Sequence, residues 1–446
     1  MAAAAYSLEL TGAGLVLLGP AGVVAAPPAW AGFEGATVVT GEAARGRARL
    51  APLFTSNRHL EEPGTEPLPR QRPAVRSNAD LLYAQLAALA PALGGEPAVL
   101  AVSSAYTLAQ LALVAAVADA AGLGVAGLVD AAVAACADLP STPRALCLDL
   151  EMHRAVLTEL HRGETLRRGR VDIARGLGLR AFEDQAAGFV GRAFVRATRF
   201  DPLHQAASEQ LLYDRLPLWL AAVAGGETEV VLEHAGLRHE TRLRLAEFAA
   251  ALEPLAADVA RLVNSARRAG EPVTLYVSAR VAAVPGLVAS LAAIGQCALT
   301  ELGAGAAAEG ARAHAAEIAG GALEFVTALA GAPAAAAAAA AAEGDGRAPT
   351  HVICQGRAYA LGPEPLTVGR GPVGARTIVL AGALAGVSRS HCRLLASGAE
   401  AVLEDLSAYG TFVNGGRVAR RARLATGDRI RVGTPGVELE LVRLEE

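Results

Sequence analysis

The stretch VSRSHCRLL, which begins at Val387, places two serines, a histidine and two arginines within a few residues of one another. Ser388 and His391 together could form part of a nucleophilic site, whereas Ser388 and Arg389 together suit the rim of an anion pocket. The third possibility is an ordinary polar turn between two strands. A nucleophile needs a base that a third group orients, and no partner carboxylate accompanies His391 within the motif. We therefore expect an anion-binding loop in which His391 has a structural role.

A third candidate for anion binding lies upstream, where Arg370 ends the strand-like PLTVGR directly after Gly369. A phosphate dianion favours the fixed fork of donors that a guanidinium offers, whereas an ammonium is a point charge. The chain has no lysine, so all of its basic residues are arginines. Arg370, the Ser388 hydroxyl and Arg389 together therefore fit a phosphate.

Composition excludes several classes of protein. The chain has 446 residues, of which 53% are hydrophobic and 4% aromatic, and its length favours two to three domains. A formal net charge of −4 gives no basic stripe for nucleic acid, so we expect no nucleic-acid partner. No run of about 18 strongly apolar residues is present, and we expect no membrane insertion.

The predicted compartment is the cytoplasm. The five cysteines are odd in number and far apart, which favours reduced, buried thiols over a disulfide framework or a zinc site. The first residues resemble a signal peptide superficially, but they lack a basic start and contain Glu9. We expect them to form the first strands of a domain.

The segment GAPAAAAAAAAAEGDGRAP, residues 331–349, predicts a linker between two domains. Before it, strands predicted at 98–104, 125–129, 145–151 and 273–279 alternate with helices, which indicates an α/β domain over residues 1–330. After it, short strands separated by Gly-rich turns predict a β-sandwich over residues 350–446. Residues 58–78, rich in Pro, Arg and Glu, predict an exposed loop.

Helix boundaries follow from capping residues. Thr107 with Gln110 forms a capping box for a helix that stops at Gly122, and Asp130 caps the next helix. Asp201-Pro202 predicts the start of a later helix, which Pro217 would break. Its side chains Asp201, Glu209, Tyr213, Asp214 and Trp219 fit either an interaction face or, more commonly, a solvated helix with a packed aromatic.

The motifs VGR (368–370), SRSH (388–391), EDLSAYGTFVNG (404–415) and LATGDRIRVG (424–433) resemble a forkhead-associated (FHA) domain. The resemblance implies an eleven-stranded sandwich that binds phosphothreonine peptides through loops at one end. It implies that Arg370 and Ser388 contact the phosphate, that Arg389 flanks it and that His391 braces the loop. The other motif residues with implied structural roles are Gly369, Gly410, Thr411, Asn414 and Gly415, with Asp405 and Ser407 as loop-stabilising side chains.

One position departs from the FHA pattern. Ala408-Tyr409 stands where the family has Ser/Thr-Asn, and that asparagine holds the peptide backbone. The phosphate contacts are therefore expected to persist while one peptide contact is lost. In the same motif, Asn414-Gly415 is also typical of a hairpin turn.

Residues 1–330 resemble the nucleotide-binding domain of DnaK-type heat-shock chaperones, in the actin-like ATPase superfamily. AVLAVSSAYTLAQLALVAAVADAAGLGVAGLVDAAVAACA carries the resemblance, with LELTGAG (8–14), VVTGEAA (38–44), ALCLDLEMH (145–153) and LYVSARVAAVPGL (275–287). The resemblance implies a duplicated ribonuclease-H-like fold. Its nucleotide site would comprise Glu9, Thr11, Gly12, Asp149, Glu151, Ser278 and Ala279.

Several of those positions differ from the superfamily. Glu9 and Thr11 replace Asp and Gly, Glu151 replaces a glycine beside Asp149, and Ser278-Ala279 replaces paired glycines. A carboxylate facing polyphosphate is repulsive, and the lysine that positions the attacking water is absent. These losses predict a pseudo-ATPase with no cofactor and no metal.

The predicted function is an adaptor with a pseudo-ATPase platform and an FHA domain that binds a threonine-phosphorylated protein. Such a partner implies a Ser/Thr kinase acting upstream. The alternative is an ATPase that binds ATP with Mg²⁺ and is targeted to phosphoproteins by its FHA domain. A third possibility is a scaffold that binds neither phosphate nor nucleotide.

Overall fold

The computed structural model describes the chain except for residues 1–4, 73–74, 268–272, 320–323, 332–348, 355–356, 381–386, 398–399, 408–409, 414–415, 419, 433–436 and 444–446. The chain divides into two compact units, Met1–Gly331 and Ala332–Glu446. Within the described residues, no helix is both long enough and apolar enough to cross a membrane.

The strands of the first unit are β1 Tyr6–Thr11, β2 Gly14–Gly19, β3 Gly22–Ala25, β4 Ala31–Glu34, β5 Thr37–Thr40, β6 Thr55–Ser56, β7 Pro67–Arg72, β8 Val75–Ser77, β9 Ala98–Val102, β10 Val125–Asp130, β11 Arg144–Leu150, β12 Arg154–Arg162, β13 Thr165–Arg175, β14 Glu227–His234, β15 Leu237–Arg244, β16 Val273–Val277, β17 Cys297–Glu301, β18 Phe325–Val326 and β19 Ala328–Ala330. Its helices are α1 Glu42–Arg45, α2 Asn78–Ala87, α3 Leu108–Ala120, α4 Ala131–Cys136, α5 Leu179–Thr198, α6 Ala206–Val223, α7 Leu245–Ala266, α8 Ala279–Ala282, α9 Leu287–Ala292, α10 Ala306–Ala313 and α11 Ala315–Ile318.

Two six-stranded sheets of the first unit share one topology. Their orders are β18-β10-β9-β1-β2-β3 and β17-β16-β11-β12-β13-β19. Each sheet contains a meander of three consecutive antiparallel strands, β1-β2-β3 in the first and β11-β12-β13 in the second. The first strand of each meander pairs in parallel with a later strand, which in turn pairs in parallel with one more: β1 with β9 and β10, and β11 with β16 and β17. The five-strand pattern therefore occurs twice in the chain.

The core of the first unit is layered. Helices α2 and α3 pack on the outer face of the first sheet, and α5, α6 and α7 pack on the outer face of the second. Helices α4 and α10 lie between the sheets with small side chains such as Ala134 and Ala311. Strands β9 and β16 are buried along their whole length, as expected for parallel strands covered on both faces.

The capping predictions are confirmed. The Thr107 side chain accepts from the Gln110 N–H in a capping box at the start of α3, which ends at Ala120 before Gly122. Asp130 accepts from the N–H groups of Ala132 and Val133 and caps α4. These caps are local, so the sequence was sufficient to predict them.

Two helix predictions for the first unit are wrong. Helix α6 begins at Ala206, and the Asp201 carboxylate accepts instead from the Leu203 N–H in a preceding turn. The helix also continues through Pro217, because Leu216 and Trp219 anchor it in the core on either side of the proline.

The loop predicted to be exposed at 58–78 is partly buried and partly regular. His59, Leu60 and Glu61 are at most 2% exposed, and β7 and β8 follow them. The buried Tyr106 hydroxyl donates to the Leu60 carbonyl, which draws the segment into the core. Tyr106 and Leu60 are 46 positions apart, so the local composition of residues 58–78 does not predict this contact.

The second unit is a β-sandwich. Its strands are β20 His351–Cys354, β21 Arg357–Ala360, β22 Leu366–Gly369, β23 Arg376–Val379, β24 Cys392–Ser397, β25 Glu400–Asp405, β26 Thr411–Val413, β27 Gly416–Arg417, β28 Arg421–Leu424, β29 Arg429–Val432 and β30 Val437–Val442. They form a six-stranded sheet, β21-β20-β30-β29-β26-β27, and a five-stranded sheet, β23-β22-β24-β25-β28. Inward-facing side chains such as Val368, Leu394 and Leu439 build the core between the sheets.

Candidate functional site

Two loops at one end of the sandwich carry the predicted phosphate contacts. Arg370 follows β22, and Ser388 and Arg389 precede its antiparallel neighbour β24. The Arg370 N–H donates to the Ser388 carbonyl at 3.2 Å, and the Gly371 N–H donates to the Arg389 carbonyl at 3.2 Å. These two backbone hydrogen bonds hold the two arginine-bearing loops side by side.

Gly369 allows these loops to approach each other. A Cβ at this position would lie 2.0 Å from the Arg389 carbonyl oxygen and 2.9 Å from the Ser388 carbonyl oxygen. Both atoms belong to backbone, which cannot move aside as the end of a side chain can. Any residue larger than glycine would therefore separate the two loops.

His391 is fully buried beneath the loops and joins two of them. Its Nδ1 accepts from the Ser388 N–H at 3.1 Å, and its Nε2 lies 3.1 Å from the Gly410 carbonyl. Since a carbonyl oxygen only accepts, this geometry assigns the proton to Nε2 and describes a neutral imidazole. Burial lowers the pKa of His391, although the bond to Gly410 opposes that shift.

The loop after β25 is held by Asp405. Its carboxylate accepts from the Ser407 N–H at 3.0 Å and from the Thr411 hydroxyl at 2.7 Å, while the Ser407 hydroxyl accepts from the Gly410 N–H at 2.7 Å. Burial raises the pKa of Asp405, but these hydrogen bonds outweigh it and the pKa is lowered. The other predicted residues of this region, Ala408, Tyr409, Asn414 and Gly415, lie outside the described residues.

The electrostatic character of this end comes from Arg370 and Arg389. Both side chains are exposed, and neither forms an ion pair with an acidic side chain within the described part of the chain. Two guanidinium groups on adjacent, braced loops form a site that is suited to a phosphate dianion.

A second candidate site is a cavity of about 260 Å³ in the first unit. Six of the seven residues predicted for a nucleotide site line it, namely Glu9, Thr11, Asp149, Glu151, Ser278 and Ala279. The seventh, Gly12, adjoins it, since a Cβ there would lie 2.6 Å from a Glu151 carboxylate oxygen. The structure therefore brings together residues from three separate segments.

Arg280 also lines this cavity and was not predicted from the sequence. It bonds to both carboxylate oxygens of Asp149, at 2.9 and 2.8 Å, and to Glu9 at 2.9 Å. Burial raises the pKa of Asp149, but the charge of Arg280 outweighs it and lowers the pKa. A sequence signal existed, because Arg280 directly follows Ser278-Ala279 in a chain whose cations are all arginines.

Glu151 is also held by an arginine that the sequence analysis missed. Arg154 donates to Glu151 at 2.6 Å and lies 3.7 Å from Glu61, and the Ser103 hydroxyl donates to Glu151 as well. Burial raises the pKa of Glu61. Across the described residues, no group of three or more His, Cys, Asp or Glu side chains is placed to hold a metal ion.

Comparison with known families matches residues 366–433 to the FHA domain. The matched segment runs from β22 to β29 and includes both arginine-bearing loops and His391. This part of the chain is therefore an FHA domain. No curated protein matches the chain.

Proposed function

We propose that the protein is an adaptor that binds a threonine-phosphorylated protein through its FHA domain. The observation that carries the proposal is the pair of exposed arginines, Arg370 and Arg389, on loops that His391 holds in place. FHA domains bind phosphothreonine peptides through loops at one end of the sandwich, and these residues lie at such an end.

The proposed recognition is electrostatic. Arg370 donates to the phosphate, the Ser388 hydroxyl adds a short donor, and Arg389 adds a second positive charge beside it. The His391 brace removes part of the ordering cost, because the loops are already positioned before the ligand binds. The phosphate is made elsewhere by a Ser/Thr kinase.

The residues Ala408-Tyr409 support a peptide affinity that depends mainly on the phosphate group. The asparagine that holds the peptide backbone in the family is replaced here, and an unpaired donor or acceptor costs roughly 1–3 kcal/mol. We therefore expect the phosphate group to supply most of the binding free energy of this domain.

The test is calorimetric binding of the full chain to a degenerate phosphothreonine peptide pool. Arg370→Ala should weaken binding about tenfold or more, since hydrogen bonds to charged groups contribute roughly 1.5–3 kcal/mol. Arg423→Ala is the matched control, because Arg423 is an exposed arginine of the same unit that pairs with Glu400. Equal binding of phosphorylated and unphosphorylated peptides by the wild type would exclude the proposal.

We further propose that the first unit is a degenerate actin-like platform that docks other proteins. The repeated five-strand order in its two large sheets supports this proposal, as that repeat is what a duplicated ribonuclease-H-like fold requires. The Arg280 bridge between Glu9 and Asp149 supports the loss of ATPase activity, because the carboxylates are already paired.

One observation favours the alternative of nucleotide binding. The cavity has room for part of a small ligand and is lined by the residues that the resemblance implies. The charges that line it favour the adaptor proposal, since the carboxylates of Glu9, Asp149 and Glu151 outnumber the single lining arginine, Arg280. The ATP experiment in the Discussion separates the two.

A further inference from the structure

A strip of exposed arginines extends from the phosphate loops across the end of the five-stranded sheet. Arg393 lies near the start of β24, Arg420 directly precedes β28 and Arg421 begins it, and all three are exposed. The Asp405 N–H donates to the Arg420 carbonyl at 2.9 Å, which places Arg420 beside the end of β25. The same end of the sheet therefore carries Arg370 and Arg389 on one side and Arg420 and Arg421 on the other.

Acidic side chains neutralise this strip only in part. Glu404 lies opposite Arg393 and Arg421 in the sheet, but its carboxylate is 3.9 Å from Arg421. Asp405 is engaged by Ser407 and Thr411 within its own loop. Among the described residues, Arg420 forms no ion pair.

The opposite side of the phosphate loops differs in character. Val379 on the edge strand β23 lies opposite Gly369 and is 59% exposed, and Val373 is 84% exposed. A peptide that crosses the end of the sheet thus meets apolar surface beside β23 and cationic surface beside β28.

We propose that Arg420 and Arg421 form a second anion-binding site for the same phosphorylated partner. The inference rests on the proposed phosphothreonine binding and specifies its ligand as a peptide with a second anionic side chain. That side chain is a carboxylate or a second phosphate, since either pairs with guanidinium.

Sheet geometry sets the spacing between the two anions. Strand β28 is three positions from β22 in the sheet, and neighbouring strands lie about 4.8 Å apart, which gives about 14 Å. An extended peptide advances about 3.3 Å per residue, so the second anion lies about three to six residues from the phosphothreonine, allowing for the reach of the arginine side chains.

The experiment measures fluorescence anisotropy of labelled peptides with the full chain. A phosphothreonine peptide with neutral flanks is compared with peptides that add one glutamate, or one phosphoserine, at each position from three to six residues on either side. We expect the best acidic peptide to bind about three- to tenfold tighter than the neutral one, with a gain that shrinks at high salt.

The variant R420Q/R421Q should lose this gain and keep the affinity for the neutral-flanked peptide. R423Q, on the same strand, is the control and should keep the gain. A gain with phosphoserine but not with glutamate would identify a second phosphate as the ligand and still support the site.

The outcomes separate the two proposals. If the neutral-flanked phosphopeptide binds and no acidic peptide binds tighter, or if R420Q/R421Q keeps the gain, the second site is excluded while phosphothreonine binding stands. If no phosphopeptide binds in preference to its unphosphorylated form, both proposals fail.

Discussion

At the scale of single residues, two arginines hold the carboxylates that the sequence placed in a vestigial nucleotide site of the first unit. Arg280 bonds to Asp149 and Glu9, and Arg154 bonds to Glu151. A carboxylate already paired with a guanidinium gains little by binding a metal-bound nucleotide, and it repels free phosphate. We therefore propose that these pairs stabilise the fold of the first unit.

The Arg280→Met variant tests this stabilising role. Removing one partner leaves Asp149, 19% exposed, and Glu9, 4% exposed, without their counter-charge, and we expect a loss of about 2–4 kcal/mol in the free energy of unfolding at pH 7. The measurement is urea unfolding followed by tryptophan fluorescence, since Trp30 and Trp219 both lie in the first unit.

The pH dependence of that loss follows from Asp149. Its pKa is lowered in the folded protein, so its stabilising effect is present above the unfolded value of 3.8 and disappears as the pH falls through the folded pKa. In the Arg280→Met variant the charge of Arg280 is missing, so burial raises the pKa of Asp149. The variant is therefore less destabilised relative to the wild type in acid than at pH 7. The difference between the two proteins should therefore shrink from pH 7 to pH 4. A constant difference, or an equal loss in the exposed Arg192→Met control, would contradict this role.

At the scale of elements, the end of the sandwich that we propose to bind phosphate depends on how closely the loop after β22 approaches the loop before β24. That approach is set by Gly369, where a Cβ would meet the Arg389 carbonyl at 2.0 Å. His391 then fixes the second loop against Gly410. Two backbone hydrogen bonds and the buried His391 side chain hold the loops together.

Gly369→Ala should therefore separate the loops and disrupt binding. We expect a loss of about 1–3 kcal/mol in stability from overpacking and a weakening of phosphopeptide affinity of about tenfold or more. Gly371→Ala is the matched control, because no heavy atom lies within 4 Å of a Cβ built there. Thermal unfolding by circular dichroism and peptide calorimetry provide the two measurements. An unchanged affinity in Gly369→Ala would show that the loop approach is not required.

At the scale of the whole molecule, each unit has its own core and its own candidate site. In the first unit the cavity is lined by both large sheets and by the segment that precedes α10. Its position suits a ligand, but its charges do not suit a polyphosphate. The sandwich unit differs, because it presents exposed arginines at one end, and within the described residues Arg370, Arg389 and Arg420 form no ion pair.

Mg-ATP should neither stabilise the first unit nor be hydrolysed by it. A site with micromolar affinity would raise the free energy of unfolding by about 4 kcal/mol at a thousandfold excess of ATP over Kd, whereas we expect no measurable change in the tryptophan unfolding midpoint. Phosphate release is measured in parallel. A raised midpoint together with steady turnover would favour the ATPase alternative.

The sequence by itself determined the local features and the FHA domain. Caps such as Thr107 and Asp130 act on N–H groups within three residues of them. The continuous apolar runs at 98–104 and 273–279 predict strands that are buried on both faces, as β9 and β16 are. The FHA motifs could be recognised because their spacing reflects loops at one end of a sandwich. These features are encoded by neighbours in the chain.

Only the tertiary structure decided which partners the polar residues have. Arg280 pairs with Asp149 across 131 positions of sequence, and burial of the segment from His59 to Glu61 depends on the approach of Tyr106. Helix α6 begins four residues later than the Asp-Pro signal indicates, and its Leu212 and Leu216 pack in the core. Long-range packing selects these contacts, and local propensity carries no information about them.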